Sequence, residues 1–304
     1  MPQRVFWQNP RPTARRPAVQ FALMLAPSPE PASRQRFVEL LALPDPAIDM
    51  AEAALLVACE EYPDLDVETY RTRLDEWGRE ARRRSAGLTA AEGVRVVNRL
   101  LFVELGFSGN ERDYYDPRNS FLNEVLDRRT GIPITLSTLF VEVARRAGLP
   151  AYGVGLPGHF IVKVALPGDD WLLDPFHGGA RLSQADCQRR LDRIFDGKLR
   201  MAPDMLRPCG PRQMLERLLQ NLKAIYVRKQ DFERALGVVE LLLRVTPESA
   251  DELRDRGLLY AALDCYTLAA ADLEAYLERA PRAEEAPALR EKIQDLRARA
   301  ARVN

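Results

Sequence analysis

Residues 114–150, YYDPRNSFLNEVLDRRTGIPITLSTLFVEVARRAGLP, decide how the chain folds. SFLNEVLDRRTG predicts a short helix, with Asn119 or Ser120 as its cap and Gly131 as its terminator. IPITLSTLFVEVARRAGLP predicts a longer one. Pro133 suits its first turn, where a missing N–H costs nothing, and Gly148-Leu149-Pro150 ends it. Leu136, Leu139, Phe140 and Val143 step by three and four and form its buried stripe. Directly afterwards the period falls to two. HFIVKVAL alternates, PGDD turns, and WLLDPF returns, so a helical segment runs into an antiparallel hairpin. His159 stands at the mouth of the first strand and Asp174 near the end of the second. A turn centred on Leu166-Pro167 would set the two opposite each other, or nearly so. A slip of one residue would put them on opposite faces.

Towards the N-terminus the text is helical from Ser33, with IDMAEAALLVACEEYP as its most apolar stretch and Asp45 and Asp49 as cap candidates. Residues 1–33, rich in Pro and Arg, are expected to be a disordered tail. Towards the C-terminus PDMLRPCGPRQ forms a Pro-rich joint, and all beyond it is helical. Tyr226 and Tyr260, Ala235 and Ala269, and Pro247 and Pro281 are each 34 positions apart. Tyr, a small Ala, a large apolar residue and Pro in that order, at that period, resemble the tetratricopeptide repeat. Gly257 fits the small position three before its Tyr, whereas the first copy has Lys223 there. The copies are 216–249 and 250–283, within a unit of 211–304 that ends in a closing helix.

Lys+Arg and Asp+Glu balance at 44 each, so no net field recruits nucleic acid. No apolar run approaches the roughly 18 residues of a membrane span. The four cysteines, Cys59, Cys187, Cys209 and Cys265, are scattered without a CxxC pair. That spacing argues against a disulfide framework or zinc and fits a reducing cytoplasm. Two histidines without a spaced acidic cluster predict no metal, and no cofactor motif is present.

The run from Tyr114 to Phe160, then DPF, resembles the transglutaminase-like domain of the SirB-one family, and QMLERLLQNLKAIYVRKQDFERAL resembles that family's joint into its repeats. The resemblance implies an α+β, mostly helical chain. A helical N-terminal layer and a transglutaminase-like core with a small antiparallel sheet (34–200, core about 111–200) would precede an α-α tetratricopeptide array. In active members of the wider superfamily a Cys opens the long helix, and a His and an Asp follow on successive strands. Here these places fall on Pro133, His159 and Asp174. Proline has no nucleophilic atom, so thiol chemistry cannot run from that position.

Two readings of His159 and Asp174 stay open. The pair could fix the hairpin, or form a polar patch on a groove floor that binds a peptide or small acidic group. Asn119 and Asn123, a turn apart, are either cap residues or groove residues. Ser137, one turn beyond Pro133, is a replacement nucleophile only from the wrong depth. Cys209, just before the helix PRQMLERLL, is the other candidate, with a thiol pKa expected to be lowered by the helix dipole. His177, beside two glycines, reads as an exposed loop residue. The expected function is a non-catalytic scaffold that holds a protein or peptide partner on the repeat array, with no nucleic-acid or membrane partner. The alternative is a hydrolase or acyl transferase with a non-standard nucleophile.

Overall fold

The computed structural model describes residues 31–303, so the proposed tail at 1–33 lies almost wholly outside the described residues. Helix begins at once, with α1 at Ala32–Leu41. The described residues divide into two compact units, 36–218 and 219–303 together with 31–35. Both breaks fall inside helices, one in α1 and one in the helix Pro211–Arg228.

The first unit is built around one helix. α2 (Met50–Ala58), α3 (Val67–Arg84) and α4 (Ala90–Asn98) form the helical layer. Each starts on a side chain that accepts from the first turn's free N–H groups: Asp49, Asp66 and Thr89. Of the two cap candidates, Asp45 has another use, accepting from the Arg212 amide at 2.9 Å. α4 does not continue as an α-helix; it widens into a π turn over Arg99–Glu104. α5 (Leu122–Arg128) is short, and α6 (Pro133–Arg146) is the long helix with Pro133 as its first residue. The sequence stripe understates α6. Every residue from Pro133 to Ala144 is buried, because α2, α3, α4 and the sheet pack around it.

The helix α5 differs from expectation at both ends. Its N-cap is Phe121, with no capping side chain; Asn119 ends a preceding 3-10 turn, Pro117–Asn119, and Ser120 is that turn's C-cap. Its C-terminus is closed by Arg129 in the left-handed region at φ 55°. Gly131 instead lies in a two-residue strand β2 (Thr130–Gly131), parallel to β1 (Ser108–Gly109). The main sheet is an antiparallel meander in the order β3 (Ala151–Val154), β4 (Ile161–Val164), β5 (Trp171–Asp174), β6 (Ala180–Leu182). Val162 pairs with Leu173 and Val164 with Trp171, so the turn centres between Pro167 and Gly168. This register is two residues from the expected one. A two-residue shift keeps the face, and so His159 and Asp174 become diagonal neighbours on one side of the hairpin. α7 (Gln184–Phe195) follows β6, and its buried Cys187 packs with Val154, Ile161 and Leu172.

α8 (Pro211–Arg228), which contains the break, leads into the second unit, where α9 (Phe232–Val245) is followed by α10 (Ala250–Ala262), α11 (Tyr266–Arg279) and a closing α12 (Ala286–Val303). α9 and α11 start and end 34 residues apart, and so do Gln230 and Asp264, which turn the chain between helices at φ 58° and 61°. Tyr226 and Tyr260, and Ala235 and Ala269, are buried. Pro247 and Pro281 follow the ends of α9 and α11, where a helix cannot continue through them. The 34-residue sequence period is thus a period of structure, a tetratricopeptide-like array. Lys223, the departure from it, is partly buried and bonds Glu252 at 2.9 Å and Asp255 at 2.8 Å.

Candidate functional site

His159 sits two residues before β4, its amide donating to the Leu156 carbonyl at 3.0 Å and its ring 6% exposed. Asp174, the last residue of β5, is wholly buried. Nε2 of His159 lies 3.0 Å from both carboxylate oxygens. The turn Pro175–His177 carries the chain back over β5, so that Nδ1 of His177 reaches Asp174 Oδ2 at 2.9 Å. From α7, Arg190 places Nη2 at 2.7 Å from the same oxygen and Nη1 at 3.0 Å from His159 Nε2. A guanidinium has only donors, so a protonated Nε2 cannot also accept from it. The consistent arrangement has Nε2–H and both neighbouring groups donating to Asp174, with Arg190 Nη1 merely alongside the ring. Phe176 closes one side, edge-on to His159 with centroids 6.2 Å apart.

Burial lowers the pKa of His159. Asp174 opposes this and the charge on Arg190 adds to it, so the imidazole is held neutral. Burial alone would raise Asp174, but the hydrogen bond from His159 and the charge of Arg190 bring it below the ordinary carboxylate range. His159, Asp174 and His177 have ligand atoms within 4.8 Å of one another and could meet at one cation. The guanidinium of Arg190 already provides that cation, and a metal would have to displace it.

The remaining candidates lie elsewhere or are committed. Pro133, where the resemblance would place a thiol, is the first residue of α6 and is buried. One turn on, the fully buried Ser137 aims Oγ at the Phe160 carbonyl, 3.5 Å away. Cys209 corrects an expectation. Its amide donates to the Gly153 carbonyl at 2.8 Å, extending the sheet edge, and burial raises its thiol pKa in spite of the helix that follows. Among the described residues no hydrogen bond joins it to His159. Asn119 is a loop clamp: its side-chain amide donates to the Asp113 carbonyl at 2.8 Å and accepts from Asn110 at 3.1 Å, while its own carbonyl accepts from Thr135 at 2.8 Å. Asn123 is buried on α5 with Oδ1 unpaired.

Two members of the network escaped the sequence reading. His177 follows Asp174 by three, the reach of one 3-10 turn, which is a signal visible in hindsight. Arg190 stands in CQRRLDRIF beside Arg189, Asp192 and Arg193, and nothing in that text distinguishes it.

Comparison with known proteins places these features. Residues 68–220 match the family model of the transglutaminase-like superfamily, and residues 222–294 match that of the tetratricopeptide repeat. The chain is thus a transglutaminase-like protein with a tetratricopeptide array. A UPF0162 protein of Xylella fastidiosa (strain 9a5c) is 38% identical over 263 residues, 84% of this chain and 93% of the relative. UPF0162 protein YchA of Escherichia coli is 30% identical, covering 75% and 85%. Protein SirB1 of Salmonella typhimurium is 30% identical, covering 64% and 72%. The chain belongs to this UPF0162/SirB1 family. No solved structure matches it.

Proposed function

We propose that the chain is a non-catalytic scaffold, in which a transglutaminase-like unit lacking its nucleophile accompanies a repeat array that holds a protein or peptide partner. The observation that carries this reading is Pro133 at the head of α6, with Ser137 buried on the same face one turn later and bonded to a backbone carbonyl. His159 and Asp174 then have no thiol or hydroxyl to activate. Their bonds to His177 and Arg190 support a structural or recognition role. Stacked helix pairs present extended surfaces suited to peptides and partner helices. Among the described residues no helix is long and apolar enough to cross a membrane.

A thiol-reactive probe applied across pH to wild type, Cys209→Ala and His159→Ala tests the reading. Slow labelling near neutrality, unaffected by His159→Ala, is expected from thiols whose pKa burial raises. Rapid labelling at neutral pH that both substitutions abolish would establish a working Cys–His pair and overturn it.

A further inference from the structure

A cleft of about 400 Å³ opens where the end of α4 meets β5, β6 and the turn between them. We propose that it binds a small oxyanion-bearing ligand, a phosphate or carboxylate group held between Arg95 and Arg181.

Arg95, Arg181 and His177 line the cleft, and no acidic residue does. Both guanidinium groups lie over the ring of Trp171, 5.3 Å and 4.4 Å from its centroid. Stacking on an aromatic face fixes the guanidinium plane and leaves its edge N–H groups to point outward, the geometry that binds a carboxylate or phosphate with two parallel bonds. Bringing two like charges to one ring costs Coulomb energy that folding does not need, and an anion between them removes that cost. Arg95 has no carboxylate within ion-pair distance among the described residues. Arg181 does, Asp169 at 2.5 Å, but both side chains are more than half exposed, so the pair is weak and readily exchanged.

The floor is built rather than incidental. Asn98 lies one turn beyond Arg95 and donates to the Gly179 carbonyl at 3.0 Å. Gly179, at φ 70°, admits that approach only because it lacks a side chain, since a Cβ there would sit 1.7 Å from Asn98 Oδ1. The π turn begins at the next residue, Arg99, a departure from regular helix that is frequent beside functional sites. The cleft is independent of the scaffold reading, so either can fail alone.

The test follows the Trp171 indole signal in 1H–15N spectra of the full chain, identified by its loss in Trp171→Phe. Sodium phosphate and, separately, sodium succinate are titrated at constant ionic strength. A saturable shift with either supports the site; phosphate alone, or succinate alone, assigns the group. Arg95→Gln and Arg181→Gln, both at exposed positions, should each weaken binding about tenfold, the effect of losing one charged hydrogen-bonding partner. Asp169→Asn, which frees Arg181, should tighten it. No saturable shift with either anion, or unchanged affinity in both arginine variants, overturns the proposal.

Discussion

Asp174 is wholly buried and accepts from three groups on three segments: the approach to β4, the turn after β5, and α7. A buried carboxylate without partners would take up a proton; these donors keep it ionised. Its neighbour His159 carries the opposite consequence for pH. The native imidazole resists protonation while the unfolded one binds a proton below about pH 6.5, so the unfolded state holds more protons there and stability falls as pH falls. Asp174, with its lowered value, contributes stability that is complete above about pH 4 and is lost only as pH drops through its native pKa. Urea unfolding should therefore show stability falling as pH drops from 7 to 5. In His159→Gln, which keeps a donor to Asp174 but cannot titrate, that slope should largely vanish. An identical slope in the variant would show that His159 is not held neutral. At this scale the sequence made His159, Asp174 and Pro133 visible because chemistry-bearing residues stand at element ends. Arg190 was hidden because a helix rich in arginine marks none of them, and Cys209 misled because a helix dipole is readable in sequence whereas burial is not.

At the scale of elements, the repeat shows why some structure was legible. A 34-residue step preserved the apolar and small positions, and the folded helices α9 and α11 keep that step at both ends. The parallel pair β1–β2 was illegible, since two residues per strand leave no alternation to detect. α6 was legible as a helix but not as one buried on every side, because periodicity reports one face and says nothing of what covers the others. Two glycines in the array separate packing from propensity. A Cβ on Gly257 would meet Leu273 Cγ at 2.9 Å and the Ala269 carbonyl at 3.2 Å, so α10 and α11 approach each other only over a bare backbone. Gly237, within α9, has only the tip of Arg34 at 3.9 Å. Gly257→Val should destabilise the array by about 2 kcal/mol through overpacking. Gly237→Ala should stabilise it by about 0.5–1 kcal/mol through helix propensity. Chemical denaturation followed by far-UV circular dichroism checks both, and equal signs would refute the packing assignment.

At the scale of the whole molecule, each unit has its own buried core: α6 and the sheet in one, the facing sides of α9 to α12 in the other. Units with separate cores can unfold in separate transitions, and a single stability value then describes neither. The tryptophans offer a direct test. Of the three tryptophans, Trp77 and Trp171 fall in residues 36–218 and the third is Trp7, so in a Trp7→Phe background fluorescence reports the transglutaminase-like unit alone. Circular dichroism reports helix in both. Asp174→Ala removes the partner of Arg190 and should cost that unit about 3 kcal/mol, shifting the fluorescence midpoint. Gly257→Val should leave the fluorescence midpoint in place and shift only the component of the dichroism curve that belongs to the repeats, as expected where each unit unfolds in its own transition. If either substitution moves both signals together, the two units unfold as one cooperative body. A bound partner on the array would then alter the stability of the His159 network as well, by the same mass-action linkage that couples any ligand to folding.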